Sequence, residues 1–90
     1  MIKEAYHPKA YLSNIKNTRL GLQARTRLLN VLDKESIDAK DISSKTGMHY
    51  GVVMHHLRLL EVEGIIERKQ SKPYIWALTG LGQRRLVNLS

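Results

Sequence analysis

From Leu20 to Leu32 the apolar residues Leu20, Ala24, Leu28, Leu29 and Leu32 return at helical spacing. This predicts an amphipathic helix with Gln23, Arg25, Arg27 and Asn30 facing outward, its start weakened by Gly21. A second helix is predicted from about Ala39 to Lys45. Asp38 is its natural N-cap, because a carboxylate accepts from early N–H groups that have no helical partner, and Asp41 adds negative charge to the first turn. Ala39 and Ile42 give it a small buried face. Gly47 marks its end, since glycine takes the left-handed conformation cheaply. A third helix is predicted from about Tyr50 to Glu63, stopped by Gly64. Val53, Leu57 and Leu60 form a single core stripe on it, and Gly51, His55, Arg58 and Val62 lie nearly opposite.

Beyond Gly64 the period changes. Ile65 to Lys69 and Tyr74 to Leu78 read as two strands joined by a polar tip at Gln70-Ser71-Lys72-Pro73, with Tyr74, Trp76 and Leu78 on one face. Ser36-Ile37-Asp38 forms a short extended stretch. Thr79 is a candidate N-cap for a last helix running from Gly80 to Asn88 with Leu81, Leu86, Val87 and Leu89. At the other end, residues 1–7 read as an arm, and Pro8 starts a short helix that runs to about Lys16 with Ala10, Tyr11, Leu12 and Ile15 on a broad apolar face. The division is therefore an arm or short helix over 1–19 and one domain over 20–90, closed by a helix over 79–90. The fold class is mainly α with a small β-hairpin wing (α+β), in the order of a winged helix-turn-helix.

Ninety residues make one domain with a thin margin of stability, so association with a second copy is expected. Fifteen Lys and Arg against eight Asp and Glu give a formal charge of +7, which favours polyanionic partners, nucleic acid first. Up to Arg27 the cations Lys3, Lys9, Lys16, Arg19, Arg25 and Arg27 face one acid, Glu4; most acids fall between Asp33 and Glu67. There is no cysteine and no signal-peptide pattern, so a cytoplasmic location is expected, nucleoid-associated if the polyanionic partner is DNA. Apolar runs are too short to span a membrane.

Catalytic chemistry finds no motif. There is no phosphate-binding P-loop, no nucleophile elbow and no acid pair with a pocket signature, so an enzyme is not expected and no cofactor or small-molecule substrate is implied. Nor do the histidines make a metal site. His49 and His56 share a helical face but stand two turns, about 10 Å, apart, and His55 and His56 point about 100° from one another.

Three stretches carry a family resemblance. They are Arg25 to Leu32, with a basic residue before paired leucines; Asp41 to Met48 with Val52 to Leu60 and Glu63-Gly64-Ile65-Ile66; and Trp76-Ala77-Leu78-Thr79-Gly80-Leu81-Gly82. In this order and spacing they resemble the winged helix-turn-helix of ArsR-type and MarR-type repressors, over about Gln23 to Gly82. The resemblance implies that the third helix enters the major groove of double-stranded DNA, and it leaves out the Cys-based metal sensing that this chain cannot perform. The chain also departs from the pattern at Leu59, apolar where an exposed polar residue is usual, and at Gly51 and Val52, which replace small polar residues.

On that architecture the candidate base readers are His49, Tyr50, Gly51, Met54, His55 and Arg58. Arg58 can fork onto guanine or phosphate, and Gly51 permits close approach. Met48 and His56 are expected to pack within the fold. Ser43 and Lys45 on the second helix, and Arg68, Lys69 and Lys72 on the wing, are candidate phosphate contacts, against the alternative of solvated surface. Tyr6, Tyr11, Leu12, Ile15, Leu86, Val87 and Leu89 are apolar groups left over for a homodimer, unless they complete the protomer's own core. A two-fold dimer would set two recognition helices about 34 Å apart. The reading is a sequence-specific transcriptional regulator; a protein-binding adaptor and an architectural DNA binder of low sequence preference stay open.

Overall fold

The computed structural model describes residues 6–13, 16–70 and 72–80. A single turn of 3-10 helix at Pro8–Ala10 is followed by α1 (Arg19–Leu32), β1 (Ile37–Asp38), α2 (Ala39–Thr46), α3 (Tyr50–Val62), β2 (Ile66–Arg68) and β3 (Ile75–Leu78). This is the α+β winged-helix order expected from the pattern. Ile15, Leu86, Val87 and Leu89, and with them the last helix beyond Gly80, lie outside the described residues. Among those that are described, no helix is long and apolar enough to cross a membrane.

Local chemistry places the α2 and α3 boundaries. The Asp38 carboxylate accepts from the Asp41 N–H at 2.8 Å and caps α2. Gly47 at φ 76° ends it, and its N–H donates to the Ser43 carbonyl, as a left-handed cap requires. Gly64, at φ 77°, turns the chain out of α3 into the wing. Val53, Leu57 and Leu60 are completely buried, as their spacing predicts, and they meet Leu28, Leu29 and Ile42 in the centre of the molecule. Leu59, the apolar departure from the family pattern, is half-buried against this core.

The sheet has three strands rather than the two of a bare ribbon, in the order β1-β3-β2 and antiparallel throughout. Ile37 pairs with Trp76 and Asp38 with Ile75, while Ile66 pairs with Leu78 and Arg68 with Trp76. Because β3 is central, both its edges are hydrogen-bonded. Trp76, Ala77 and Leu78 are all buried, whereas Tyr74 at the edge of the tip is 44% exposed. The Thr79 hydroxyl then donates to the Gly64 carbonyl at 2.7 Å and ties the end of the wing to its beginning.

Two expectations need correction. Among the described residues, the helix expected from Pro8 to Lys16 is only the 3-10 turn, and Tyr11 is already extended. Side chains satisfy the backbone here in place of a helical ladder. The Lys9 N–H donates to His7 Nδ1 at 3.0 Å, the Leu12 N–H donates to Asn17 Oδ1 at 2.7 Å, and Asn17 Nδ2 donates back to the Leu12 carbonyl at 2.9 Å. Ala10 and Leu12 are consequently buried in the protomer's own core, so Leu12 is not the leftover apolar surface it was expected to be.

The second correction concerns α1, which is rotated at its start relative to the predicted stripe. Leu22 is buried, Leu20 is 78% exposed, and Arg25, expected to face outward, is 2% exposed. The chain before α1 folds across that face and supplies what a guanidinium needs. Arg25 Nε donates to the Ala10 carbonyl at 2.6 Å, and Nη2 donates to Asn17 Oδ1 at 3.1 Å. Gly21, one turn earlier, leaves the necessary room: a Cβ there would lie 2.9 Å from Arg25 Nη1. His7 anchors the same segment from the other side. Its ring accepts at Nδ1, so in the neutral tautomer Nε2 donates, to Asp33 Oδ2 at 2.9 Å.

Candidate nucleic-acid interface

The turn between α2 and α3 is fixed by short polar contacts. Ser43 Oγ donates to the Met48 carbonyl at 2.5 Å, Thr46 Oγ1 donates to the Ile42 carbonyl at 2.7 Å and accepts from the Met48 N–H at 3.3 Å. These bonds set the angle at which α3 leaves. The Ser43 hydroxyl proton is spent inside the turn, which leaves only its oxygen lone pairs for anything outside. Met48 packs against the core, and His49 is the exposed N-cap of α3 without a side-chain capping bond.

On α3 the buried stripe leaves one long outward face. Gly51, His55, Arg58 and Val62 are exposed along it, with Val62 80% exposed at the far end. Tyr50, 52% exposed, and half-buried Met54 form the flank that turns toward the wing. There they line an open groove of about 250 Å³ with Asp38, Lys40, Lys72, Tyr74 and Trp76.

His56 faces inward, as expected. It is 8% exposed, and its Nδ1 lies 3.4 Å from Arg25 Nη1, an acceptor for the buried guanidinium only while the ring is neutral. Burial first, then the charges of Arg25 and His55, push its pKa down from 6.5 to about 4. Burial also lowers Arg25 from its ordinary value. The ring of His55 meets that of His56 edge-on at 5.0 Å, so His55 sits over this pair while remaining exposed on the outward face. Together these contacts pin the middle of α3 to α1 and to the segment before it. The end of α3 is held too, by Glu63, whose Oε2 accepts from the Ser13 N–H at 3.0 Å.

The cations divide into groups that the sequence did not separate. Arg68 Nε donates to Glu61 Oε2 at 2.8 Å, and its guanidinium lies 4.8 Å from the centre of the Tyr74 ring and 5.5 Å from that of Trp76. Arg68 thus braces the wing against α3. Lys69 Nζ is 3.7 Å from Glu67 Oε2, a loose exposed pair, and Lys72 is exposed at the tip. Lys45 pairs with Glu35 at 3.3 Å, in a surface depression shared with Asn30, Val31 and Lys34 at the end of α1. Lys40, by contrast, lines a depression with Ser43 and Tyr50 beside the start of α3. Sequence reasoning chose Lys45 and passed over Lys40. The signal was available, since Lys40 and Ser43 are three apart and share a helix face while Lys45 falls about 200° from Ser43.

Of the residues singled out from the sequence, Tyr50, Gly51, Met54, His55 and Arg58 are brought together on α3, with Ser43 and Lys72 on either side. Tyr6 and Tyr11 meet edge-on at 6.3 Å, and Tyr11 is 51% exposed. Among the described residues no group of three His, Asp or Glu side chains is arranged to hold a metal ion. No curated protein matches the chain. A family profile described as "Bacterial regulatory protein, arsR family" matches residues 23–68, from within α1 to the end of β2.

Proposed function

The chain belongs to the ArsR family of bacterial regulatory proteins, and on that premise we propose how it engages DNA. It is a DNA-binding transcriptional regulator. In the proposed complex α3 enters the major groove, with Gly51, His55 and Arg58 toward the base edges and His49, Tyr50 and Met54 along the flank. The wing tip reaches adjacent backbone or minor groove through Lys69 and Lys72, and Lys40 meets phosphate beside the helix start, whereas Ser43, its proton already given to the Met48 carbonyl, has none to donate there. The observation that carries this reading is the outward face of α3, which bears His55 and Arg58 and no acid, in a chain of net charge +7.

Pairing of two protomers is part of the same proposal. Tyr11 and Leu20, at 51% and 78% exposure, support it as apolar groups left uncovered among the described residues. A two-fold pair would present two copies of α3 about 34 Å apart to a near-palindromic site.

The test is a fluorescence-anisotropy titration of labelled random duplex at two salt concentrations, with sedimentation of the free protein alongside. Salt-sensitive binding that weakens in the combined Arg58→Ala, Lys69→Ala and Lys72→Ala variant is expected. Binding no tighter than millimolar at low salt refutes the groove complex and favours an adaptor that binds protein. Equal affinity for all duplexes after selection would favour the architectural reading, for which the thin hydrogen-bonding capacity of Gly51 and Val52 is the supporting observation.

A further inference from the structure

Two features of the first turn of α3 have no explanation within the chain. Glycine is the poorest helix former after proline, yet Gly51 stands in a helical turn. Its backbone does not lie in the left-handed region, and a Cβ added to it would meet nothing within 4 Å. Neither conformation nor packing asks for glycine here, in contrast with Gly21, Gly47 and Gly64. Next to it Val52 is 42% exposed, at the end of the helix that the readout depends on. The first turn therefore offers very little hydrogen bonding from its side chains. Tyr50 leans toward the wing and its groove, Gly51 has no side chain, and Val52 is apolar.

We infer that the first turn of α3 reads thymine by shape, with the Val52 methyl groups against the C5-methyl of a thymine and Gly51 allowing the helix backbone to close on the base edges. The inference rests on the proposed entry of α3 into the major groove and deepens it. In that groove every base edge presents donors and acceptors, and the thymine methyl is the one apolar group among the four ordinary bases. A valine brought close to any other edge would strip water from polar atoms and return no hydrogen bond. A missing Cβ at Gly51 matters only if something approaches to within a side chain's reach, and a groove floor does so.

The spacing adds a further expectation. Val52 and Arg58 are six residues apart, a rise of about 9 Å along the helix. With base pairs about 3.4 Å apart, the thymine and the guanine or phosphate reached by Arg58 should lie roughly two to three base pairs from one another.

The experiment starts from the preferred duplex obtained by selection on the full chain. Each thymine is replaced in turn by deoxyuridine, which removes the methyl group alone, and affinity is read by anisotropy. Wild type should lose three- to tenfold at one or two positions and be indifferent at the rest. Val52→Ala should bind the thymine duplex with that same loss and no longer distinguish uracil there. Gly51→Ala should melt at a higher temperature than wild type and bind the duplex at least tenfold more weakly. Full retention of affinity on every uracil duplex, or unchanged discrimination in Val52→Ala, overturns the inference while leaving DNA binding intact. If wild type binds duplex but selects no sequence, this inference falls alone; if it binds no tighter than millimolar, the proposed groove complex falls with it.

Discussion

Lowering the pH from 7 to 4 asks the chain to place a positive charge beside one it has already buried. His56 accepts toward Arg25 only as a neutral ring, and its pKa in the folded protein is about 4 against 6.5 for the free side chain. Between those two values the unfolded chain holds the proton and the folded one does not, so stability rises with pH across the window. The contribution is fully present above about pH 6.5 and is lost as the pH falls toward 4. One pH unit corresponds to about 1.4 kcal/mol, so the whole window amounts to roughly 2–3 kcal/mol once the slight solvent access of the ring is allowed for. A domain of this size has a total stability of about 5–13 kcal/mol, so the loss is a substantial share. His56→Gln keeps a side-chain oxygen that can accept from Arg25 and removes the titration. Urea unfolding of both proteins at pH 7.5, 6.5, 5.5 and 4.5 isolates the effect, because ionisable groups remote from the substitution contribute equally to both curves and cancel in the difference. Wild type should lose its advantage over His56→Gln progressively below pH 6.5. Parallel curves across the whole range would refute the argument, since the Arg25–His56 contact would then carry no protonation cost.

Three more outcomes follow from the geometry. Gly21→Ala improves helix propensity by up to about 1 kcal/mol but drives a methyl against a guanidinium held by Ala10, Asn17 and His56; a net loss of about 1–2 kcal/mol in urea unfolding is expected, and a gain would mean that Arg25 is free to move. Asp38→Ala removes the cap of α2 and should cost about 1 kcal/mol by the same measurement, with no change if water replaces the carboxylate at the Asp41 N–H. On random duplex, Lys72→Ala should reduce the salt slope of binding by about 0.9, one released counterion, whereas Arg68→Ala should leave the slope nearly unchanged because Glu61 and the two rings already occupy that guanidinium. Equal slope changes in the two variants would show that Arg68 leaves Glu61 for phosphate.

The elements that could be read from the sequence are those whose physics is complete within a turn or two. Asp38, Gly47 and Gly64 act on backbone groups a few residues away, and the Val53, Leu57 and Leu60 stripe fixes both the buried face of α3 and, opposite it, the outward line of Gly51, His55 and Arg58. The change of period after Gly64, with Ile65 to Lys69 and Tyr74 to Leu78 on either side of a polar tip, likewise announced the wing. The core of the candidate interface was legible for the same reason, because it is the uncovered side of a strongly periodic helix.

What the tertiary structure decided are the matters in which one segment covers another far along the chain. Arg25 reads as an outward residue by any local rule; it is buried because Ala10, fifteen positions earlier, and His56, thirty-one later, come to meet it. Leu20 is left outside by the same rotation of the face. A two-residue β1 carries too little pattern to announce that it pairs with β3, and only that pairing makes β3 central, with both of its edges bonded. Helical spacing puts Lys40 and Lys45 on different faces of α2, but only packing turns the first face toward α3 and the second toward the end of α1. Periodicity says that a helix has a buried side and an exposed one; which charges end up buried, braced or free depends on contacts between residues that no local window contains.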